Sequence, residues 1–319
     1  MALVGIARLA SKSELLGEKR AVTYFEIPTR SILNRTKPGM PFRWTVNPYR
    51  GCEFACKYCY ARYTHEYMEM EAEDFENRIY AKSAAAQLLR QELARIDRKD
   101  AIAIGTATDP YQPAERRFLR TREILEVFAR EKGLHLGLIT KSDLVARDID
   151  LLVEISRANV LMVILTITTL DEKLARLLEP RAPHPALRLG AVSRLRAAGL
   201  AVGVVAKPVL PGLTDSERQL DRLARAARDA GALSFSGGAL FLPPAAQKIF
   251  FPFLEKQYPR LAPRYRELFA TGAYLRRSYQ ETVSERVHRA RERYGLASGM
   301  IEYRPEIAVE EQGELFPLQ

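Results

Sequence analysis

Cysteine is scarce in this chain, and its three copies are clustered. Among 319 residues the only cysteines are Cys52, Cys56 and Cys59. This distribution excludes the disulfide framework of many small secreted proteins and favours a reducing, cytoplasmic compartment. It also argues against several iron–sulfur clusters, since each ordinarily takes about four thiolates.

Long hydrophobic runs are also missing. The longest apolar run, residues 160–167, is far shorter than the roughly 20 residues that a membrane-spanning helix needs. The first ten residues have no basic start and no convincing cleavage site, so no secretory signal is predicted. These absences predict a cytoplasmic protein without a membrane partner.

The cysteines lie in the segment NPYRGCEFACKYCY, residues 47–60, with C-x3-C-x2-C spacing. Three thiolates can hold three irons of a 4Fe-4S cluster, which leaves the fourth iron open to an outside ligand because the chain has no fourth cysteine. The alternative is a zinc site in which His65 joins the three cysteines. Ordinary buried or redox-active thiols are the third interpretation.

Short apolar runs alternate with amphipathic stretches along the rest of the chain. Strands are predicted at 42–46, 101–106, 135–140, 160–168, 201–206 and 233–238. Helices are predicted at 78–96, 114–131, 144–155, 170–178, 186–198, 214–229 and 247–257. Capping boxes are predicted for two of these helices, in the pairs Thr169/Glu172 and Thr214/Glu217. The alternation predicts a parallel sheet, and the cysteine segment follows its first strand, at the edge where barrel sites are built.

The cysteine spacing, with an aromatic residue before the last cysteine, resembles the radical S-adenosylmethionine superfamily. Residues 40–240 resemble its spore photoproduct lyase-like branch, whose members are described as DNA repair photolyases. The further matching motifs are TATDPYQP at 106–113, TKS at 140–142, LTITT at 165–169, LEP at 178–180 with Arg188, and PVLPG at 208–212.

The resemblance implies an α/β fold, a partial (β/α)6 TIM-like barrel at 41–257 with extensions at 1–40 and 258–304. It also implies that Cys52, Cys56 and Cys59 hold a 4Fe-4S cluster and that S-adenosylmethionine chelates the open iron. An electron donor such as flavodoxin or ferredoxin would then supply the electron that produces a 5′-deoxyadenosyl radical.

The resemblance implies six residues that contact the cofactor: Tyr58, Thr106, Asp109, Lys141, Thr166 and Thr168. Tyr58 would pack near the adenine, and Lys141 would reach the carboxylate as a point charge. The threonine hydroxyls suit the ribose or the carboxylate. Asp109 would replace the Gly-Gly-Glu acceptor that this sequence lacks. The alternatives are a solvated lysine, β-branched filling of a strand, and an Asp-Pro turn.

The spore photoproduct lyase uses a cysteine outside the cluster motif to return a hydrogen, and this chain has no such cysteine. We therefore expect a different terminating step. Tyr60, Tyr63 and Tyr111 are the candidate hydrogen donors.

Positive charge is concentrated near the C-terminus. The formal net charge is +10, and residues 258–304 contain ten arginines, no lysine, five acidic residues and six tyrosines. Arginine suits phosphates and tyrosine stacks on bases, so this segment predicts a nucleic-acid surface. A helix at 282–294, opened by a Thr282/Glu285 capping box, would carry Arg286, Arg289 and Arg293 on one side. The alternative is a solvated helix packed on the barrel.

The last segment, 305–319, is acidic and predicted to be flexible. Gln312, Leu315 and Phe316 resemble the pentapeptide by which bacterial repair proteins dock on the DNA sliding clamp. The alternative is a tail that packs on its own barrel.

Three functions are compatible with the sequence. The first is a radical enzyme that repairs or modifies nucleic acid, and the second is a radical enzyme that acts on a peptide or small metabolite. The third is a non-enzymatic zinc protein that binds nucleic acid.

Overall fold

A computed structural model describes residues 3–299 of the chain. Within that range the strands are β1 (Glu14–Lys19), β2 (Val22–Ile27), β3 (Leu33–Arg35), β4 (Trp44–Val46), β5 (Tyr49–Arg50), β6 (Arg78–Lys82), β7 (Ala101–Ile104), β8 (His135–Thr140), β9 (Val160–Thr166), β10 (Ala201–Val209) and β11 (Ser234–Ala239). The helices are α1 (Gly5–Ala10), α2 (Tyr63–Glu66), α3 (Ala85–Leu93), α4 (Glu115–Phe118), α5 (Arg120–Ala129), α6 (Ile149–Ala158), α7 (Glu172–Leu178), α8 (Pro185–Ala197), α9 (Glu217–Asp229), α10 (Pro244–Gln257), α11 (Ala262–Leu268) and α12 (Arg277–Arg293).

The larger sheet has seven strands in the order β11-β10-β9-β8-β7-β4-β3. Six of them, β4 and β7 to β11, pair in parallel, and β3 is antiparallel to β4 at one edge. The six predicted strands are thus confirmed, and helices between them cover the sheet with one continuous apolar core. This is the expected partial (β/α)6 TIM-like barrel.

A second sheet, in the order β1-β2-β6-β5, was not expected. Three of its strands, β1, β2 and β5, come from the part of the chain before the cysteines. Its fourth strand, β6, corrects the helix predicted at 78–96, since only 85–93 is helical. β6 is extended because it pairs in parallel with β2 and antiparallel with β5, partners that a local periodicity cannot reveal.

Both capping boxes predicted in the barrel were wrong. The α7 N-cap is Asp171, which accepts a hydrogen bond from Leu174 N at 2.9 Å. The α9 N-cap is Ser216, which forms its capping box with Gln219. In each case a later residue with an equally good acceptor begins the helix.

Two predicted helices are interrupted. The helix expected at 114–131 breaks at Leu119, which adopts a left-handed conformation between α4 and α5. The helix expected at 144–155 begins as a 3₁₀ segment, Asp143–Asp148, before α6.

Helix α12 begins at Arg277, earlier than predicted, so Thr282 is inside it and donates to the Ser278 carbonyl rather than capping it. The helix packs on β11 and α9 at the open edge of the barrel. No helix within residues 3–299 is long and apolar enough to span a membrane. The acidic segment 305–319, with Gln312, Leu315 and Phe316, lies outside the described residues.

Candidate active site

The cysteine loop leaves β5 through Gly51, whose conformation only glycine tolerates well. Its φ is +78°, and a Cβ there would lie 2.7 Å from the Arg78 carbonyl oxygen and 2.8 Å from the Phe75 carbonyl oxygen. The loop is further tied to the chain by the bond from Cys52 N to Phe75 O, at 2.9 Å. Gly51 therefore lets the loop turn tightly against the small sheet.

The three cysteines share one apolar cluster at the barrel mouth. Cys52 and Cys56 are buried and Cys59 is half-buried. Burial raises the pKa of the Cys56 thiol to about 12, and it also raises the pKa values of Cys52 and Cys59. A thiolate in this apolar setting needs a compensating cation, so the loop suits a metal centre that displaces the thiol protons.

Polar side chains from neighbouring segments hold the loop. Asn47 accepts from Ala107 N at 2.8 Å, and Thr108 donates to the Gly51 carbonyl at 2.6 Å. Gln112, fully buried, donates to the same carbonyl at 3.1 Å and accepts from Glu53 N at 2.9 Å. The segment after β7 thus fixes the loop before any metal binds.

Arg62 supports the other end of the loop. Its guanidinium is fully buried, pairs with Glu76 and donates to the Cys56 carbonyl at 3.2 Å. Because the carbonyl of a cysteine is held directly, Arg62 fixes the backbone from which Cys56 projects.

Behind the loop lies a buried polar network that starts at Tyr58. The Tyr58 hydroxyl lies 3.0 Å from Thr168 Oγ1 and donates to Glu179. Thr168 also donates to Glu179, at 2.7 Å, and Arg188 forms a 2.5 Å ion pair with the same carboxylate. Burial alone would raise the pKa of Glu179, but Arg188 and Lys141 lower it below its ordinary value. The network holds the Tyr58 ring in one orientation.

Lys141 lies at the end of β8 and faces the same network. Its ammonium is 5.8 Å from the centre of the Tyr58 ring. Burial alone would lower the pKa of Lys141, but Cys56 and Glu179 raise it above its ordinary value. The structure therefore brings a charged, half-buried lysine to the cysteine loop, rather than leaving it fully in solvent.

Asp109 is buried and already engaged. Its carboxylate accepts from Thr140 Oγ1 at 2.6 Å, from Lys141 N at 2.7 Å and from Tyr111 N at 2.9 Å. Burial raises the pKa of Asp109, although these donors oppose the shift. Its visible role is to fix the end of β8, which carries Lys141.

The three predicted threonines lie at the same rim. Thr106 accepts from Asn47 Nδ2 at 3.3 Å. Thr166 ends β9, and its carbonyl accepts from Arg188 at 3.0 Å. Thr168 lies beyond the end of β9, so the two threonines do not share one strand as predicted, and the Thr168 hydroxyl is engaged by Tyr58 and Glu179.

The three candidate hydrogen donors are in different surroundings. Tyr60 directly follows Cys59, and its hydroxyl donates to the Thr106 carbonyl at the barrel mouth. Tyr63 lies on α2 and contacts the ring of Tyr67. Tyr111 is buried in the barrel core beneath Arg147. Of the three, only Tyr60 is both at the mouth and partly exposed, at 39%.

His65 is not placed to join the cysteines. Its Nε2 lies 3.0 Å from the Arg78 carbonyl oxygen, and its ring packs edge-on to Phe75 and Tyr80. Burial lowers the pKa of His65 to about 4. Within the described part of the chain, no group of three or more His, Cys, Asp or Glu side chains converges on a single ion. One zinc would require thiolates within about 4 Å of each other, whereas a cubane spreads them over separate irons. The His65 ring is thus engaged by the Arg78 carbonyl, Phe75 and Tyr80, away from the ligand role that a zinc site would require.

The arginines expected to face nucleic acid on α12 contact α9 or the residue shortly before it instead. Arg289 contacts Glu217 at 3.2 Å, and Arg293 contacts Asp221 at 2.5 Å. Arg286 donates to the Asp215 carbonyl at 2.6 Å. This face of α12 closes the barrel edge, so it is not a free basic surface.

Sequence reasoning missed the support that surrounds the cysteines. Gln112 and Glu179 were noticed only within matching motifs, and Arg62 was not noticed at all. A buried Arg or Glu has no periodic signal, and the partners lie far away in sequence, so only the fold reveals the pairing.

Comparisons with known proteins agree with this geometry. A family model described as the Radical SAM superfamily matches residues 46–224. An uncharacterized protein of Mycobacterium tuberculosis is 37% identical over 323 residues, which span 100% of this chain and 94% of that protein. An uncharacterized protein of Methanocaldococcus jannaschii is 31% identical over 201 residues, which span 61% of this chain and 71% of that protein.

Solved structures of spore photoproduct lyase share the fold. The complex with dinucleoside spore photoproduct has a TM-score of 0.65 at 15% identity, covering 86% of this chain and 80% of the lyase. A mutant with bound S-adenosylmethionine and the same dinucleoside has a TM-score of 0.64 at 16% identity, with the same coverage. With the family match, the three-cysteine loop and the parallel barrel around it, the chain belongs to the radical S-adenosylmethionine superfamily of enzymes.

Proposed function

We propose that this protein cleaves S-adenosylmethionine reductively and uses the resulting radical on a nucleic acid. The observation that carries the proposal is the cysteine loop itself, which is held by buried polar side chains and faces the charged Lys141. When bound by Cys52, Cys56 and Cys59, a 4Fe-4S cluster would supply the electron that breaks the sulfonium bond of the cofactor.

The chain's own residues would bind and orient the cofactor. Lys141 would attract the methionine carboxylate as a fixed positive charge, and Tyr58 would present a rigid ring to the adenine. Asp109 would act through the backbone of Lys141, and Thr106, Thr166 and Thr168 would contact the ribose from the rim. The apolar cluster around the cysteines would exclude water from a reactive intermediate.

The nucleic-acid part of the proposal is supported by the net charge of +10 and by the shared fold of spore photoproduct lyase, which binds a dinucleoside lesion. Tyr60 is the proposed hydrogen donor because it alone of the three candidates is exposed beside a cysteine. Peptide or small-metabolite substrates are the second candidate. The electron donor, flavodoxin or ferredoxin, and the sliding clamp stay predictions.

The test is anaerobic incubation of reconstituted enzyme with dithionite and S-adenosylmethionine, with intact or damaged oligonucleotides. Nucleic-acid-dependent 5′-deoxyadenosine and altered bases are expected. Cofactor cleavage without any change in intact or damaged nucleic acid would move the protein to the peptide or metabolite class. Measuring substrate affinity at a series of salt concentrations separates the two classes further, because nucleic-acid affinity falls steeply with salt.

A further inference from the structure

Three aromatic rings from separate segments form a continuous row at the barrel mouth. The ring centres of Tyr60 and Phe241 are 6.1 Å apart, and those of Phe241 and Tyr274 are 4.5 Å apart. We call Tyr60, Phe241 and Tyr274 the aromatic row. The row runs from the residue after Cys59, across the loop that follows β11, to the loop before α12.

The backbone holds the rings of Phe241 and Tyr274 together. Phe241 and Tyr274 form an isolated antiparallel bridge, and Leu242 N donates to the Ala273 carbonyl at 2.9 Å. The Tyr60 hydroxyl is fixed on the Thr106 carbonyl. The rings therefore have defined positions without being buried.

Burial does not explain the outer ring. Tyr274 is 67% exposed, and Tyr60 is 39% exposed. An exposed tyrosine contributes little hydrophobic stabilisation, yet here Tyr274 is held against Phe241, which in turn adjoins the residue after Cys59. Such a face is suited to stacking with another planar ring.

Two free cations lie at the same end of the barrel. Lys207 lies near the end of β10 and is exposed. Its side chain packs along Gly238, since a Cβ added to Gly238 would lie 3.4 Å from Lys207 Cε. Arg276 is exposed two residues after Tyr274. Neither forms an ion pair with another residue in the range 3–299, unlike Arg286, Arg289 and Arg293. Planar rings beside unpaired cations match unstacked bases on a phosphate backbone, whereas a peptide offers neither feature regularly.

We propose that the aromatic row is a stacking platform for unpaired bases of a nucleic-acid strand, with Tyr274 and Phe241 holding the bases next to the one that enters the barrel mouth. Lys207 and Arg276 contact the neighbouring phosphates. This inference rests on the nucleic-acid part of the proposed function. It adds that the bound nucleic-acid strand is unpaired and that it lies along the aromatic row.

The test is the affinity of the reconstituted enzyme for a fluorescent single-stranded oligonucleotide, measured by anisotropy at low salt. Tyr274→Ala should weaken binding about tenfold, as expected when one base loses an aromatic partner. Tyr274→Trp should retain binding. Tyr67→Ala is the matched control, because Tyr67 is also exposed, at 65%, and lies outside the row. A duplex of the same sequence should bind more weakly than the single strand.

Iron content and 5′-deoxyadenosine formed without substrate should be the same in Tyr274→Ala as in the unaltered enzyme. Equal affinity of Tyr274→Ala and the unaltered enzyme would overturn the platform, as would equal affinity for duplex and single strand. If the unaltered enzyme cleaves the cofactor but binds no oligonucleotide, the platform fails while the cofactor chemistry stands. If binding depends on Tyr274 but no cofactor is cleaved, the platform stands and the radical chemistry fails.

Discussion

At the residue scale, Lys141 has a defined electrostatic position. Its ammonium faces the Tyr58 ring and is stabilised by the carboxylate of Glu179, so it is charged at neutral pH. We expect Lys141→Ala to retain iron but to bind S-adenosylmethionine more weakly by about 1.5–3 kcal/mol, the cost of a lost charged hydrogen bond.

Equilibrium binding of the cofactor to reconstituted protein checks this expectation, with iron content measured on the same samples. Lys132→Ala is the control, because Lys132 is an exposed lysine in the loop before β8. Unchanged cofactor affinity in Lys141→Ala would mean that the lysine serves only the protein's own network.

Glu179 is the residue on which the buried network depends. Removing its charge leaves Arg188 buried without its anion, so Glu179→Ala should lower the free energy of unfolding by about 3–5 kcal/mol at pH 7. The exposed pair of Glu217 and Arg289 gives the control, since Glu217→Ala should cost no more than about 1 kcal/mol. Denaturant unfolding of the two variants measures both.

The stability that the ionised Glu179 adds should depend on pH. Because the folded-state pKa of Glu179 is lowered, this stability is fully present above its ordinary pKa of 4.5 and is lost as pH falls through the lower folded value. The difference between the unaltered protein and Glu179→Gln should therefore shrink below about pH 4.5. A difference that grows on acidification would contradict the pairing with Arg188.

At the element scale, the cysteine loop depends on one backbone conformation. A side chain at Gly51 would press on two carbonyl oxygens of the chain entering β6, so Gly51→Ala should displace the loop and reduce bound iron severalfold. The secondary structure measured by circular dichroism should remain. Gly133→Ala is the control, with a similar φ of +73° and open space around it. Equal iron content in the two variants would mean that the loop adapts.

Helix α12 is the element whose role differs most from its sequence pattern. Because Arg289 and Arg293 pair with α9, replacing both with alanine should change nucleic-acid affinity by less than about twofold at fixed salt. Surface pairs of this kind each contribute at most about 1 kcal/mol to stability. A steep loss of affinity, with a smaller salt slope, would return this face to the nucleic-acid surface predicted from sequence.

At the scale of the whole molecule, the sequence predicts what depends on local pattern. The six parallel strands follow from short apolar runs, and the cysteine site follows from spacing within one loop. The small sheet was missed because β2 and β6 are distant in sequence, and their pairing makes β6 extended. The Tyr58–Glu179 contact was missed for the same reason, since 121 residues separate its partners.

At this scale, charge composition was the least reliable predictor of which surface is free to bind nucleic acid. Composition predicts that residues 258–304 are basic, but it does not say which arginines have anions opposite them. Only the packing of α9 against α12 answers that question, and Lys207 and Arg276 form no ion pair with another residue in the range 3–299.

The central claim is that three cysteines in one loop support reductive cleavage of S-adenosylmethionine. The direct measurement is the amount of 5′-deoxyadenosine formed anaerobically with dithionite by reconstituted protein and by Cys56→Ala. The account predicts 5′-deoxyadenosine from the unaltered protein and none above background from Cys56→Ala, with the barrel still folded. Equal cleavage by the two proteins, or none by an unaltered protein that carries its full iron, would contradict it.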